Sequence, residues 1–253
     1  MKRLLWLLLL VIAIVAVVAV TFPASLALRL LPAAGMPVQL EEVAGTVWSG
    51  RAGRVLRNGA DLGQLQWTLH PAALLRGHVD ADLSLQGQSM EGAGHVIAGR
   101  GGDLRVEAAT ASFPAARMDR LLDVPALTLT GSVDLAIETL ELRGRVPVAL
   151  AGQAIWRNAG VTGTEQAAFG TLEATFGALP GGGFGGTLSD QGDGPLEVDG
   201  TFRTTLMGFE ARATLRARDG NPQVQRALQH IGQMQPDGSV VYEVSGGLAR
   251  KGS

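Results

Sequence analysis

The residue types most often used for chemistry are sparse in this chain. It has 253 residues, four histidines (His70, His78, His95 and His230) and no cysteine. Without thiols there is no disulfide, cysteine nucleophile, iron–sulfur cluster or thiolate zinc site. The histidines form neither H-x-H nor H-E-x-x-H, and zinc needs three or four ligands brought together. His230 lies beside an apolar helical stripe, where an imidazolium suits the helix C-terminus. Asp80 and Asp82 share one face of an alternating segment and so resemble a carboxylate pair. Their alternation with Val79, Ala81 and Leu83 reads better as the solvated face of a sheet. Gly181–Gly186 formally satisfies G-x-G-x-x-G, a motif that must follow a strand and open a helix. Here Leu179-Pro180 precedes it and no helical stripe follows, so it reads as a loop. There is no G-K-[ST] and no G-x-S-x-G elbow. No catalytic residue, cofactor or metal ligand is assigned, and the chain does not read as an enzyme.

Composition narrows the partners. Formal net charge is −2, which excludes the basic footprint of a nucleic-acid binder. Only 17% of residues are charged, against about 25% in ordinary soluble domains. Arg212, Arg216 and Arg218 line one face of a segment and could meet an acidic partner or lipid head groups. The favoured reading is an outer face balanced across strands by Asp and Glu. Glycine fills 35 positions without a G-X-Y period, so the chain is not collagen-like.

The elements that must position any site begin with Met1-Lys2-Arg3 and an uncharged apolar run from Leu4 to Val20, extended by Thr21 and Phe22. This predicts a transmembrane helix over 4–22, with Leu4, Trp6, Val11, Val20 and Phe22 as anchor residues. A secretory signal has a shorter apolar core and then a small-residue cleavage site. Ser25-Leu26-Ala27 fits such a site, so cleavage stays open, while the length of the run favours the anchor. Trp6 suits an interfacial position, and Lys2 and Arg3 hold residues 1–3 in the cytoplasm. The remainder would lie outside the cytoplasm, in the periplasm of a Gram-negative source.

Past a proline-bearing linker over 23–39, period-2 alternation predicts half-buried antiparallel strands in one β domain over 40–249, with a tail at 250–253. Val79–Leu85, Val133–Ile137, Phe209–Ala217 and Val240–Val244 show it most clearly. Asn58-Gly59 and Asp237-Gly238 punctuate the runs as hairpin turns do. Three short helices interrupt: one at Pro71–Arg76, one capped by Ser112 and running to Leu122, and one capped by Asn221 with Pro222 at its first position and Gly232 after it. Gly177–Gly186 and Ser189–Pro195 are either hinges or hairpin loops. Free strand edges would be open to a partner strand.

Several of these segments, taken in order, resemble the type II secretion system protein N family. Val43–Ala52, carrying Gly45, Trp48 and Gly50, is similar to its opening motif. Leu65–Gly77, carrying Trp67, Pro71, Leu74 and Gly77, is similar to the next. Asn221-Pro222 and the strand ending at Glu243 are similar to its close. The resemblance implies an inner-membrane, single-pass accessory subunit of the machine that exports folded proteins from the periplasm. It implies contacts with the outer-membrane secretin and inner-membrane platform subunits, with lipid met through the anchor. A likeness to AsmA-type proteins implies a mainly β fold, an elongated, curved, largely antiparallel sheet. The motif residues would be structural or partner-contacting, Trp48 and Trp67 as large apolar anchors whose N–H groups want partners. Two other readings remain: an AsmA-like lipid handler with an apolar groove, and a periplasmic hydrolase.

Overall fold

The computed structural model describes residues 21–30, 38–57, 59–119, 127–144, 146–180, 182–205, 208–229 and 233–247. Among them, no helix is long and apolar enough to cross a membrane. The anchor positions Leu4, Trp6, Val11 and Val20, and His230, Ile231 and Gly232, lie outside the described residues. The chain divides into two compact units, Met1–Arg100 and Gly101–Ser253.

The N-terminal unit opens with helix α1 (Ala24–Leu30), followed by strands β1 (Gln39–Gly45), β2 (Ser49–Arg57) and β3 (Ala60–Leu69). A single helical turn, α2 (Pro71–Leu74), then leads to β4 (Val79–Gln86) and β5 (Glu91–Ala98). The strands pair antiparallel in sequence order. Its buried positions are mostly small: Ala24, Ala52, Val55, Ala73 and Ala81. Glu42 has φ +54°, and the pairing of β1 with β2 keeps one register on either side of it.

The C-terminal unit holds β6 (Leu104–Pro114), β7 (Leu127–Arg143), β8 (Val146–Gly163), β9 (Ala167–Ala178), β10 (Phe184–Asp190), β11 (Leu196–Thr205) and β12 (Gly208–Ala217). Helix α3 (Pro222–Leu228) and strands β13 (Gln233–Met234) and β14 (Val240–Gly247) complete it. Order within this unit follows the sequence except that β14 pairs with β12 and β13 lies outside β14. Leu129, Val161, Phe169, Leu172, Val198 and Val240 form its core beneath α3.

Asn221 caps α3 as its type predicts, its Oδ1 accepting from Gln223 N–H at 3.0 Å and Val224 N–H at 3.2 Å. Asn221→Ala is therefore expected to cost about 1 kcal/mol, read from a urea midpoint. The helix expected after Ser112 is corrected. Ser112 lies within β6 and caps no helix, its hydroxyl donating to Asp134 at 2.8 Å; a 3-10 turn at Ala115–Met118 follows, and Leu121 and Leu122 lie outside the described residues. Pairing with β7 satisfies the backbone that a helix would have used. The glycine-rich stretches are hairpin connections, and Gly185 and Gly186 lie inside β10.

Aromatic side chains recur opposite glycine. Trp67 pairs directly with Gly50, Phe176 with Gly152, Phe202 with Gly186, and Phe209 with Gly246. In each case a Cβ on the glycine would run into the ring, at 2.8 Å from Phe176 Cε2 and from Phe202 Cζ. The absent side chain gives the ring a flat bed on the neighbouring strand.

Candidate functional site

The first two motif blocks meet at one end of the N-terminal sheet. Gly45, at φ +93°, lets β1 turn, and Thr46 and Ser49 close the connection to β2, Thr46 N–H donating to the Ser49 carbonyl at 2.9 Å. A Cβ on Gly45 would fall 2.6 Å from that same carbonyl oxygen. Trp48 stands in this turn, half-buried, and its carbonyl accepts from Leu69 N–H at 2.6 Å. The Trp67 indole, lying over Gly50, donates from Nε1 to the Val47 carbonyl at 3.1 Å. Trp67→Phe keeps an aromatic ring over β2 but loses this bond and part of the indole's packing, so a loss of at least about 1 kcal/mol in thermal unfolding is expected.

The chain enters the sheet at the same end. Val47 N–H donates to the Phe22 carbonyl at 3.0 Å, and Pro23 bridges Thr46. Beyond β3, Pro71 opens α2 and Gly77, at φ +83°, closes it, donating to the Leu74 carbonyl at 3.0 Å. The residue α2 buries is Ala73; Leu74 is 44% exposed, Leu75 91% and Val79 40%. Asn221 and Pro222 belong to the C-terminal unit, where they start α3.

One cluster that sequence reasoning did not assemble lies on β4 and its neighbours. His70 Nδ1 is 2.9 Å from Asp80 Oδ1, and His95 Nδ1 is 2.8 Å from Asp82 Oδ1. The other ring nitrogens complete a quartet, His95 Nε2 to Asp80 at 3.4 Å and His70 Nε2 to Asp82 at 3.5 Å. The two rings stand 6.1 Å apart. Among the described residues, no group of three or more His, Asp or Glu is arranged to hold a metal ion. The signal was the register: Asp82 faces His95 directly across β4 and β5.

The arginine face is balanced. Arg212 meets Glu243 at 3.2 Å, Arg216 meets Asp237 at 2.8 Å, and Arg218 meets Asp190 at 2.6 Å. A groove of about 900 Å³ on the C-terminal unit runs over this face, lined by Leu179, Phe202 and Val244 as well as by Arg203, Glu210 and Arg212. Ion pairs Arg203–Glu210 and Arg212–Glu243 cross it.

The sequence model of the family described as type II secretion system (T2SS), protein N, matches residues 36–244. The chain belongs to this family. The protein N match takes in every motif residue from Gly45 to Pro222. Two relatives are similar over a shorter stretch. A type II secretion system protein N of Vibrio cholerae serotype O1 is 35% identical over 125 residues, covering 47% of this chain and 48% of the relative. A type II secretion system protein N of Aeromonas hydrophila is 34% identical over 125 residues, with the same coverage. The match thus spans about half the length of these curated protein N relatives. No solved structure matches the chain.

Proposed function

We propose that this chain is an accessory subunit of the type II protein secretion system, anchored in the inner membrane by residues 4–22. Its N-terminus lies in the cytoplasm and its β units in the periplasm, where protein–protein contacts support export of folded proteins across the outer membrane. The observation that carries this reading is the protein N match over residues 36–244. The apolar run Leu4–Val20, ahead of the matched interval, supports the membrane location. The role is non-enzymatic, with the outer-membrane secretin and platform subunits as the partners. Among the described residues β1 is an edge strand, whose outer backbone is open to such contacts.

Deleting the gene should shift exported enzymes from the medium to the periplasm, and the wild-type gene in trans should restore them. Photo-crosslinking residues placed along β1 should then yield adducts with the secretin or the platform. Unchanged export in the deletion strain would sink the proposal. So would phospholipid adducts from β1 with no secretion component among the products.

A further inference from the structure

We infer that the β3–β4 connection, residues 70–79, is a finger that dips into the lipid interface of the membrane holding the N-terminal segment. This rests on the anchor reading given above and adds a second, independent membrane contact to it.

Four observations converge. Leu75 is 91% exposed, and Leu74 and Val79 beside it are 44% and 40% exposed, within one short connection. A soluble surface seldom groups large aliphatic side chains this way without something to cover them. The segment Pro71–Val79 has no acidic residue, and it carries Arg76 next to the leucines. An aliphatic tip beside a cation is the composition of an interfacial anchor on an anionic bilayer.

Position supplies the rest. The uncharged run Leu4–Val20 stops one residue before Thr21, and Phe22 is already hydrogen-bonded to Val47. There is no slack between the end of the run and the sheet. That end carries a ladder of backbone bonds: Phe22 to Val47, Trp48 to Leu69, and His70 to Asp80 at 2.9 Å. Strands lie about 4.8 Å apart, so the finger stands only about 15 Å from the point where the chain enters. Trp48, half-buried between the two, is the residue type enriched at such a boundary. The opposite end of β3, at Ala60, is about 30 Å farther away along the strand. The occupant is therefore the periplasmic surface of the anchor's own bilayer.

The absence of native cysteine makes the test direct. The full chain is reconstituted in vesicles of phosphatidylethanolamine and phosphatidylglycerol, with an environment-sensitive fluorophore on Leu75→Cys, Ala72→Cys or Ala60→Cys. Flotation after alkaline extraction first checks anchoring. Nitroxide-bearing lipids should quench the probes at 75 and 72 several-fold more than the probe at 60. Replacing Leu74 and Leu75 together by serine should remove the quenching at 72, and their exposure means the fold survives the change. Protein that floats while position 75 is no more quenched than position 60 would leave the anchor standing and overturn the finger. Shielding of position 75 that appears only on adding secretion proteins would also overturn it, in favour of a protein contact. Protein that fails to float would remove the anchor and the finger together.

Discussion

Leu228→Ala is expected to lower the stability of the C-terminal unit by about 3–4 kcal/mol, the cost of an aliphatic deletion in a packed site. Leu228 is 1% exposed, and Val224 and Ala227 on the same helix are fully buried. Helix α3 has seven residues, far too few to persist without tertiary packing. It is held by its Asn221 cap and by this apolar stripe against β9 and β12. The surroundings cannot collapse into the gap without detaching the helix from β9 and β12. Urea unfolding checks the value, with Leu228→Met as a control expected to lose under about 1.5 kcal/mol. An alanine variant within about 1 kcal/mol of the parent would mean that α3 is not seated as described.

Asp190→Asn is expected to cost about 2–3 kcal/mol at neutral pH, the range for hydrogen bonds to a charged group. The carboxylate, 9% exposed, accepts from Val198 N–H at 2.8 Å, Gly192 N–H at 3.0 Å and Arg218 Nη2 at 2.6 Å. Arg218 also donates from Nη1 to the Gly194 carbonyl at 2.5 Å, so one carboxylate ties the β10–β11 turn to the start of the path into α3. Burial works to raise the Asp190 carboxyl, and the Val198 amide, Arg218 and the Gly192 amide outweigh it, leaving it below its ordinary 3.8. A group depressed in the folded state stabilises fully above its unfolded value, and the contribution is lost as pH falls through the folded value. The gap between parent and variant should therefore be constant from pH 7 to about pH 5 and shrink below about pH 4. A gap that persists at pH 2 would show that the charge is not what stabilises the turn. Asp134, depressed through its bonds to Arg157 and Ser112, adds to the acid sensitivity in the same direction.

Much of this arrangement was legible from residue order, and the gaps have physical reasons. Asn221-Pro222 announced a helix start because capping is a local event, complete within four residues. Asp237-Gly238 announced a turn for the same reason, and Gly238 has φ +80°. Ser112 misled because its cap-like setting competed with a long-range partner, Asp134, on β7. Alternation along β12 gave the apolar face but not how far cover extends over it. Ala213 and Ala217 are buried, while Phe209 on the same face is 48% exposed. Seven residues of helix span about 10 Å and ten of strand about 33 Å, so α3 shields only part of the strand. The histidine–aspartate quartet needed the β4–β5 register, which spacing along the chain does not contain. The bare leucines of the finger escaped as well. A helical P-x-x-L-L reads the same whether its leucines face protein or lipid.

The rings lying over glycines carry a consequence for inheritance. At Gly246 the nearest atoms a side chain would meet all belong to the Phe209 ring, so one can be gained only if that ring has already been traded for something smaller. The reverse order opens a hole before anything fills it. Phe209 and Gly246 are thus a single unit of descent, two distant letters obliged to drift together. A library that randomises Phe209 and Gly246 jointly should return small–large pairs in either orientation and almost no large–large ones.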